Sequence, residues 1–523
     1  MNDYQKEPVA PSPACPKEPA VPASDNPYVR KETEADRRYR ELKKACASLL
    51  GAKLALGGLA LGILTVELAL LYPAGLSMPV LILGFEALLF GLFRERIGRD
   101  FWILGTLLLL TAAGYPLHFN PSTRPICSLG LLLGGALQLA ALEGAESPLS
   151  VVTLLAIPRR LAAEPLMNLA LPFPALGTLR STKSRMVRST AAVLLGLALA
   201  LPVCGMLLLL FASADALFGV ALDVFLHSLC ITPFAVFCDF VFGGVFGLLL
   251  AARLLKARFA PKEGPAAIPA FRIPALVSGA FLAAVVAVTL VFVGFQFAYL
   301  FGGERTRAAW GLTYSEYARR GFFELCAASA IVFGVALLAL LLTRSGEKGF
   351  PCGVRILTIL LCAGDFVILA SALRRMSLYI SVYGMSVKRL LTLWGMAVIA
   401  AGLLLLLLRC LRERFQVVRA LLITGLAAVC LLSFLNTERI VAGWNVRRMT
   451  EGSVPFSAES FRGLSYTAAP QVEALLEARP ESREELDEVL GQMTGRYASC
   501  HPIYSFSFDQ WEAGEVFERR GLL

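Results

Sequence analysis

Four carboxylates interrupt otherwise apolar runs: Glu67, Glu86, Asp239 and Asp365. A charge at the centre of a bilayer costs roughly 2.5–3.5 kcal/mol on insertion scales, so an acid in such a place needs a reason. Asp239 and Asp365 fall nearest the middle of their runs. The chemistry they suggest is a proton or cation pathway. The competing reading is a carboxyl satisfied by neighbouring helices.

A second chemistry is carried by arginine interleaved with tyrosine. The stretch 302–320 holds Arg305, Arg307, Tyr314, Glu316, Tyr317, Arg319 and Arg320, and the stretch 374–389 holds Arg374, Arg375, Tyr379, Tyr383, Lys388 and Arg389. Guanidinium forks next to aromatic rings suit a phosphate-bearing lipid or polymer. The plainer alternative is that these cations dock the acidic C-terminal segment, whose acids include Glu473, Glu477, Glu481, Glu484, Glu485, Asp487 and Glu488.

Soluble-enzyme chemistry is not written in the chain. The phosphate-cradling G-x-x-x-x-G-K-[ST], the metalloprotease H-E-x-x-H and the nucleophile-elbow G-x-S-x-G patterns do not occur. There are three histidines and twelve cysteines but no C-x-x-C, and most cysteines sit in apolar runs, where they act as small hydrophobes. No metal or other cofactor is expected. A membrane-embedded transferase would depend on His227, beside Asp223, or on the carboxylates; it ranks below binding and transport.

The elements that must position these groups are membrane helices. Of 523 residues, 57% are hydrophobic and 17% charged, with mean hydropathy +0.66. That composition excludes an ordinary soluble globular enzyme and a disordered chain. A span needs about 20 apolar residues. On that scale eleven spans are expected, near Leu49–Tyr72, Met78–Phe93, Phe101–Tyr115, Ile126–Leu142, Thr190–Phe211, Ser228–Ala251, Ala275–Phe301, Phe322–Leu342, Val354–Leu373, Leu390–Leu408 and Val417–Leu435. Alternate connections collect the cations: Arg94, Arg96 and Arg99; Arg159, Arg160, Arg180, Lys183, Arg185 and Arg188; Arg253, Lys256, Arg258, Lys262 and Arg272; Arg344, Lys348 and Arg355; Arg409, Arg412, Arg414 and Arg419. Positive loops face the cytoplasm, and of the first three outer loops only the second holds a cation, Arg124.

Five regions follow. Residues 1–48 form a Pro-rich tail leading into a charged cytoplasmic helix, with seven prolines in Met1–Tyr28. Residues 49–142 are four membrane helices, and 143–189 a cytoplasmic connection with interfacial or re-entrant helices. Residues 190–435 supply seven more spans. Residues 436–523, with 9 basic and 14 acidic residues, make a small helical domain outside, expected to dock on the outer membrane face. Ser482-Arg-Glu-Glu485 is a capping box that opens one of its helices, with Gly491 as the expected stop. The pairs Gly58/Gly62, Gly130/Gly134 and Gly243/Gly247 permit close helix contacts, read as internal packing. The bilayer is the certain partner of such a chain, nucleic acid is not one, and an anionic envelope component or another membrane protein is the expected ligand.

Several stretches are similar to a known family. Ser213-Ala-Asp215-x-x-Phe218, Thr313–Leu325, Arg375–Arg389 and Asn436–Arg448 (NTERIVAGWNVRR) resemble a bacterial family catalogued as a domain of unknown function, numbered 4173 and related to 4153. The resemblance covers roughly 190–523 and departs from the family where an aspartate is expected near Glu438. It implies a multi-pass protein of the bacterial cytoplasmic membrane and adds Asp215 to the candidate ligand-binding residues. It brings no activity with it.

The sequence therefore reads as an all-α integral membrane protein with about eleven spans, N-terminus inside and a helical C-terminal domain outside. Binding or sensing at the outer Arg/Tyr surface leads. Proton- or cation-coupled transport on Glu86, Asp239 and Asp365 is the rival.

Overall fold

The computed structural model describes residues 33–66, 68, 74–143, 149–181, 239–260, 272–301, 322–344, 349–452, 455–497 and 505–523, with a few isolated positions between 206 and 219. Among these, regular structure is helical apart from isolated bridge positions, such as the pair Ile273 and Thr343. The helices are α1 (Glu34–Cys46), α2 (Leu49–Thr65), α3 (Ser77–Phe93), α4 (Arg99–Ala113), α5 (Arg124–Leu142), α6 (Val151–Pro158), α7 (Glu164–Met167), α8 (Pro172–Ser181), α9 (Gly244–Phe259) and α10 (Ala275–Phe301). They continue as α11 (Phe322–Leu342), α12 (Cys352–Tyr383), α13 (Val387–Leu411), α14 (Val417–Ser433), α15 (Thr437–Thr450), α16 (Glu459–Arg462), α17 (Ala469–Ala478), α18 (Arg483–Tyr497) and α19 (Phe508–Arg519).

Two helix groups stand side by side. In the first, α2 packs against α9, α3 and α8, and α4 packs against α3 and α5. In the second, α12 packs against α10, α11 and α13. Helix α14 joins the groups, touching α4 and α5 on one side and α13 on the other.

Two of the small-residue pairs meet each other across the α2–α9 crossing. A Cβ on Gly58 would lie 2.6 Å from Ala251 Cα, one on Gly243 2.8 Å from Ile63 Cα, and one on Gly247 2.8 Å from Leu59 Cα. A Cβ on Gly62 would run into the backbone of Gly247. Both faces are bare of side chains, so the backbones approach closely and dispersion takes over where lipid offers no hydrophobic drive. Gly130 and Gly134 are filled differently, by Val429 of α14 and Leu108 of α4.

Cations gather at one end of the bundle. Arg253 and Arg160 grip Glu143, Lys256 and Arg159 grip Glu164 at 3.1 Å each, and Arg258 reaches Glu95 at 3.2 Å. Arg419 pairs with Asp100, Arg355 pairs with Glu413, and Arg96 donates to the carbonyls of Ala257 and Arg258 at 2.9 Å. Burial alone would raise the Glu164 carboxyl; Lys256, Arg253 and Arg159 outweigh it and hold the group below the ordinary glutamate range.

The described helices include six that are long and apolar enough to cross a membrane alone, or up to eight if each of two bent pairs is one span. The eleven expected spans are therefore not all of independent length. Helix α4, expected as Phe101–Tyr115, has 15 residues. Helix α2 has 17 and is bent 87° from α1. Most of Thr190–Phe211 and the first part of Ser228–Ala251, residues 228–238, lie outside the described residues.

The expected outer loop Arg374–Arg389 is not a loop. Helix α12 is 32 residues long and runs on through Tyr383, because Met376 and Ile380 continue the buried stripe of Leu369 and Ala372. At about 1.5 Å per residue it outreaches a hydrocarbon core of about 30 Å. Gly384 ends it with φ +75°, a left-handed turn that glycine takes without strain. Gly491, expected to stop α18, lies inside that helix, which continues to Tyr497 with Met493 and Thr494 still buried. A helical glycine costs only about 1 kcal/mol, less than the burial of those two residues returns.

Candidate functional site

At the far end of α12 the candidate residues divide by role. Arg389 is spent locally: it donates to Tyr383 O at 3.1 Å and to Gly384 O, and its guanidinium lies 4.2 Å over the Tyr379 ring. It caps the orphan carbonyls of α12 while stacking on its last turn. Tyr379 and Tyr383 lie one turn apart, with ring centroids 4.9 Å apart. Arg375 turns inward and donates to Gln296 Oε1 at 3.3 Å, beside Ser371, which donates to the same oxygen at 2.6 Å. Arg374 and Lys388 are exposed. The other half of the surface, Arg305, Arg307, Tyr314, Glu316, Tyr317, Arg319 and Arg320, lies outside the described residues. Asp215 is exposed, and its carboxylate accepts from Phe218 N at 3.2 Å, a local turn.

Four of the C-terminal acids are engaged within their own segment. Glu473 pairs with Arg519 and Arg520, Glu488 with Arg462, Asp487 with Arg483, and Glu512 with Arg439.

Between that segment and the membrane helices runs a polar seam that sequence reasoning missed. Asp509 accepts from Asn436 Nδ2 at 2.7 Å and Phe119 N at 3.1 Å, with His118 Nδ1 3.3 Å away. Asn120 donates to Leu435 O at 2.7 Å and accepts from Thr437 N at 3.2 Å. Phe119 is sandwiched, with Tyr466 stacked at 4.9 Å and the Arg124 guanidinium 4.3 Å from its centroid. Leu76 N donates to Phe506 O, and Phe508 N to Pro116 O. On the other helix group, Asn445 bonds both Met385 N and Met385 O, at 2.8 and 3.0 Å. Glu438 is almost fully buried and accepts from Ser465 N at 2.7 Å, Ser465 Oγ and Thr467 Oγ1. Burial raises its carboxyl above the ordinary glutamate range, with the Ser465 and Thr467 bonds opposing. Asn436, Glu438 and Asn445 all come from the Asn436–Arg448 motif: the first two tie the C-terminal segment together and Asn445 ties it to the second helix group, while Thr437 of the same motif meets Asn120 of the first.

The intramembrane acids differ from one another. Glu86 accepts from Gln138 Nε2 at 2.9 Å, packed against Gly105, where a Cβ would press on both side chains. Asp239 begins a π-helical turn, but its side chain and Glu67 lie outside the described residues. Asp365 is 0% exposed, and neither carboxylate oxygen has a hydrogen-bond partner. Ser329 of α11, also 0% exposed, lies beside it with its hydroxyl unpartnered. Gln138, Gln296 and Ser329 were findable: a lone amide or hydroxyl in an apolar run is the same signal as a lone acid, only weaker. Among the described residues no three His, Cys, Asp or Glu side chains gather to hold a metal ion.

No curated protein and no solved structure matches the chain. A family model does, over residues 105–475, which is most of the chain and begins well before the stretch in which the resemblance was visible. The matching family is 4153, the relative of the one the motifs suggested. With its helical fold, its apolar spans and that match, the chain belongs to the family described as a domain of unknown function, DUF4153.

Proposed function

We propose that this is a non-enzymatic, eleven-span protein of the bacterial cytoplasmic membrane that binds or senses an anionic envelope component, or another membrane protein, at the outer end of α12. One observation carries the reading. Helix α12 overshoots the bilayer and lifts Arg374, Tyr379 and Tyr383 to the end of the molecule where the C-terminal segment sits. The ion pairs of Glu473, Glu488, Asp487 and Glu512 within their own segment weaken the alternative that these cations exist to dock it.

The test uses the purified full chain and a soluble phosphate polymer, inorganic polyphosphate. Replacing Arg374 and Lys388 by Gln should weaken binding by at least about tenfold, since a hydrogen bond to a charged group is worth about 1.5–3 kcal/mol, and should leave thermal stability unchanged. Arg389→Gln should instead lower stability, because it uncaps α12. Binding that ignores the Arg374/Lys388 double substitution sinks the reading.

A second reading, proton- or cation-coupled secondary transport, is favoured by the unpartnered carboxyl of Asp365.

A further inference from the structure

The buried polar residues of the second helix group lie in register. Helices α10 and α12 run parallel, and Thr289 packs on Gly364 as Gln296 packs on Ser371, the same offset one heptad apart. Ser278, Thr289 and Gln296 are the buried polar residues of α10; Thr358, Asp365 and Ser371 are those of α12. They form one polar row inside the most apolar part of the molecule. Most of the row is satisfied. Thr289 and Thr358 donate to carbonyls one turn back at 2.8 Å, and Ser371 donates to Gln296. The Asp365 carboxylate oxygens and the Ser329 hydroxyl, by contrast, have no hydrogen-bond partner among the described residues.

We propose that Asp365 and Ser329 form a proton-binding site, with Asp365 the group that takes up and releases the proton. This deepens the transport reading by naming its ligand. Two carboxyl oxygens and one hydroxyl are too few for a cation that needs six or more oxygen ligands, and the hydroxyls of Thr289 and Thr358 are turned into their own helices. A proton needs one acceptor. Bound to Asp365, it makes the carboxyl neutral and turns it into a donor for Ser329 Oγ, which satisfies both groups at once. Among the described residues, the surroundings offer the ionised form no free cation. Residues 275–296 of α10 contain no titratable group; α11 brings Glu324 and Cys326. On α12, Cys362 lies beside the carboxyl, Arg355 is paired with Glu413 and Arg375 is bonded to Gln296. On α13, Arg389 caps α12, Arg409 donates to Glu413 O, and Cys410 packs near Cys362. An unpaired carboxylate in such a place yields its charge rather than keep it.

Infrared difference spectroscopy of the full chain in lipid vesicles, exchanged between H2O and D2O, reads the proton directly. A protonated-carboxyl C=O band should persist at neutral pH, vanish in Asp365→Asn and survive in Glu86→Gln. Asp365→Glu should shift it, which keeps the assignment open if Asp365→Asn does not insert. A spectrum that neither Asp365 substitution changes overturns the proposal. Proton flux into the same vesicles, followed with an entrapped pH dye, judges transport separately: a band without flux leaves the proton site standing and removes the transport reading.

Discussion

Glu438 shows what burial does to one residue here. It is held by Ser465 and Thr467 in a nearly dry site, and its carboxyl lies above its ordinary value of 4.5. A raised folded value means that the native chain holds the proton more tightly than the unfolded chain. The stability this contributes is complete below the unfolded value and drains away as pH rises through the folded one. Glu438→Gln keeps the acceptor oxygen and removes the ionisation. Thermal unfolding of the variant should therefore fall less steeply than wild type from about pH 4.5 upward. A variant that tracks wild type across that window would assign the pH dependence elsewhere. At this scale the sequence was partly legible. Asp365 stood out because a charge in an apolar run is conspicuous, whereas Asp509, His118 and Asn120 did not. Their importance comes from a junction between segments some 390 positions apart, and no local pattern announces that.

Elements were read better than residues, and the errors have physical causes. The C-terminal segment was expected to be helical, and Ala469–Ala478 and Phe508–Arg519 are helices in it, because each is short, amphipathic and closed by polar sequence. Hydropathy falls over Arg374–Arg389, and on that signal alone the stretch is expected to be a loop. Helix propensity and the buried Met376/Ile380 stripe do not fall with it. The small-residue pairs were visible in the sequence, but not that Gly58/Gly62 faces Gly243/Gly247, since pairing across 180 residues is a property of the packed bundle. That crossing makes a sharp prediction. Gly62→Leu would drive a side chain into the Gly247 backbone, and overpacking a tight contact costs about 1–3 kcal/mol. Gly177→Leu, where a Cβ meets nothing within 4 Å, is the control. The first should lower the melting temperature and folded yield in detergent and the second should not. Equal behaviour would mean that the α2–α9 approach is not the stabilising contact.

For the whole molecule, the two ends of the bundle differ in chemistry, and α1 and the C-terminal helices lie on different ends. Helix α1 packs on α8, α9 and the start of α2, at the end where Arg253, Lys256, Arg96 and Arg355 find their acids. The C-terminal helices sit on the opposite end, against Gly75, Pro116, Asn120 and Met385. Opposite ends require an odd number of crossings. The six to eight apolar helices are those of the described residues alone, and eleven is the proposed total for the chain. Helices α2–α5 alternate in direction, α10–α14 alternate again, and α9 returns to the basic end antiparallel to α2. The chain leaves the basic end at α8, where Thr178 touches Ser48, and reappears at Gly243 beside Ile63, near the far end of α2. Positive loops are retained on the cytoplasmic side, so the basic end should face the cytoplasm. A reporter active only outside the membrane, fused after Leu523, should therefore give signal. A cysteine placed at Arg38 should be shielded from an impermeant thiol reagent until the cells are opened, with the native cysteines replaced to keep the readout clean. A silent external reporter together with an active cytoplasmic one would put the Arg374 surface inside the cell. The envelope-binding reading would then fall, while the proton site at Asp365, buried at mid-bundle, would be unaffected by the inversion.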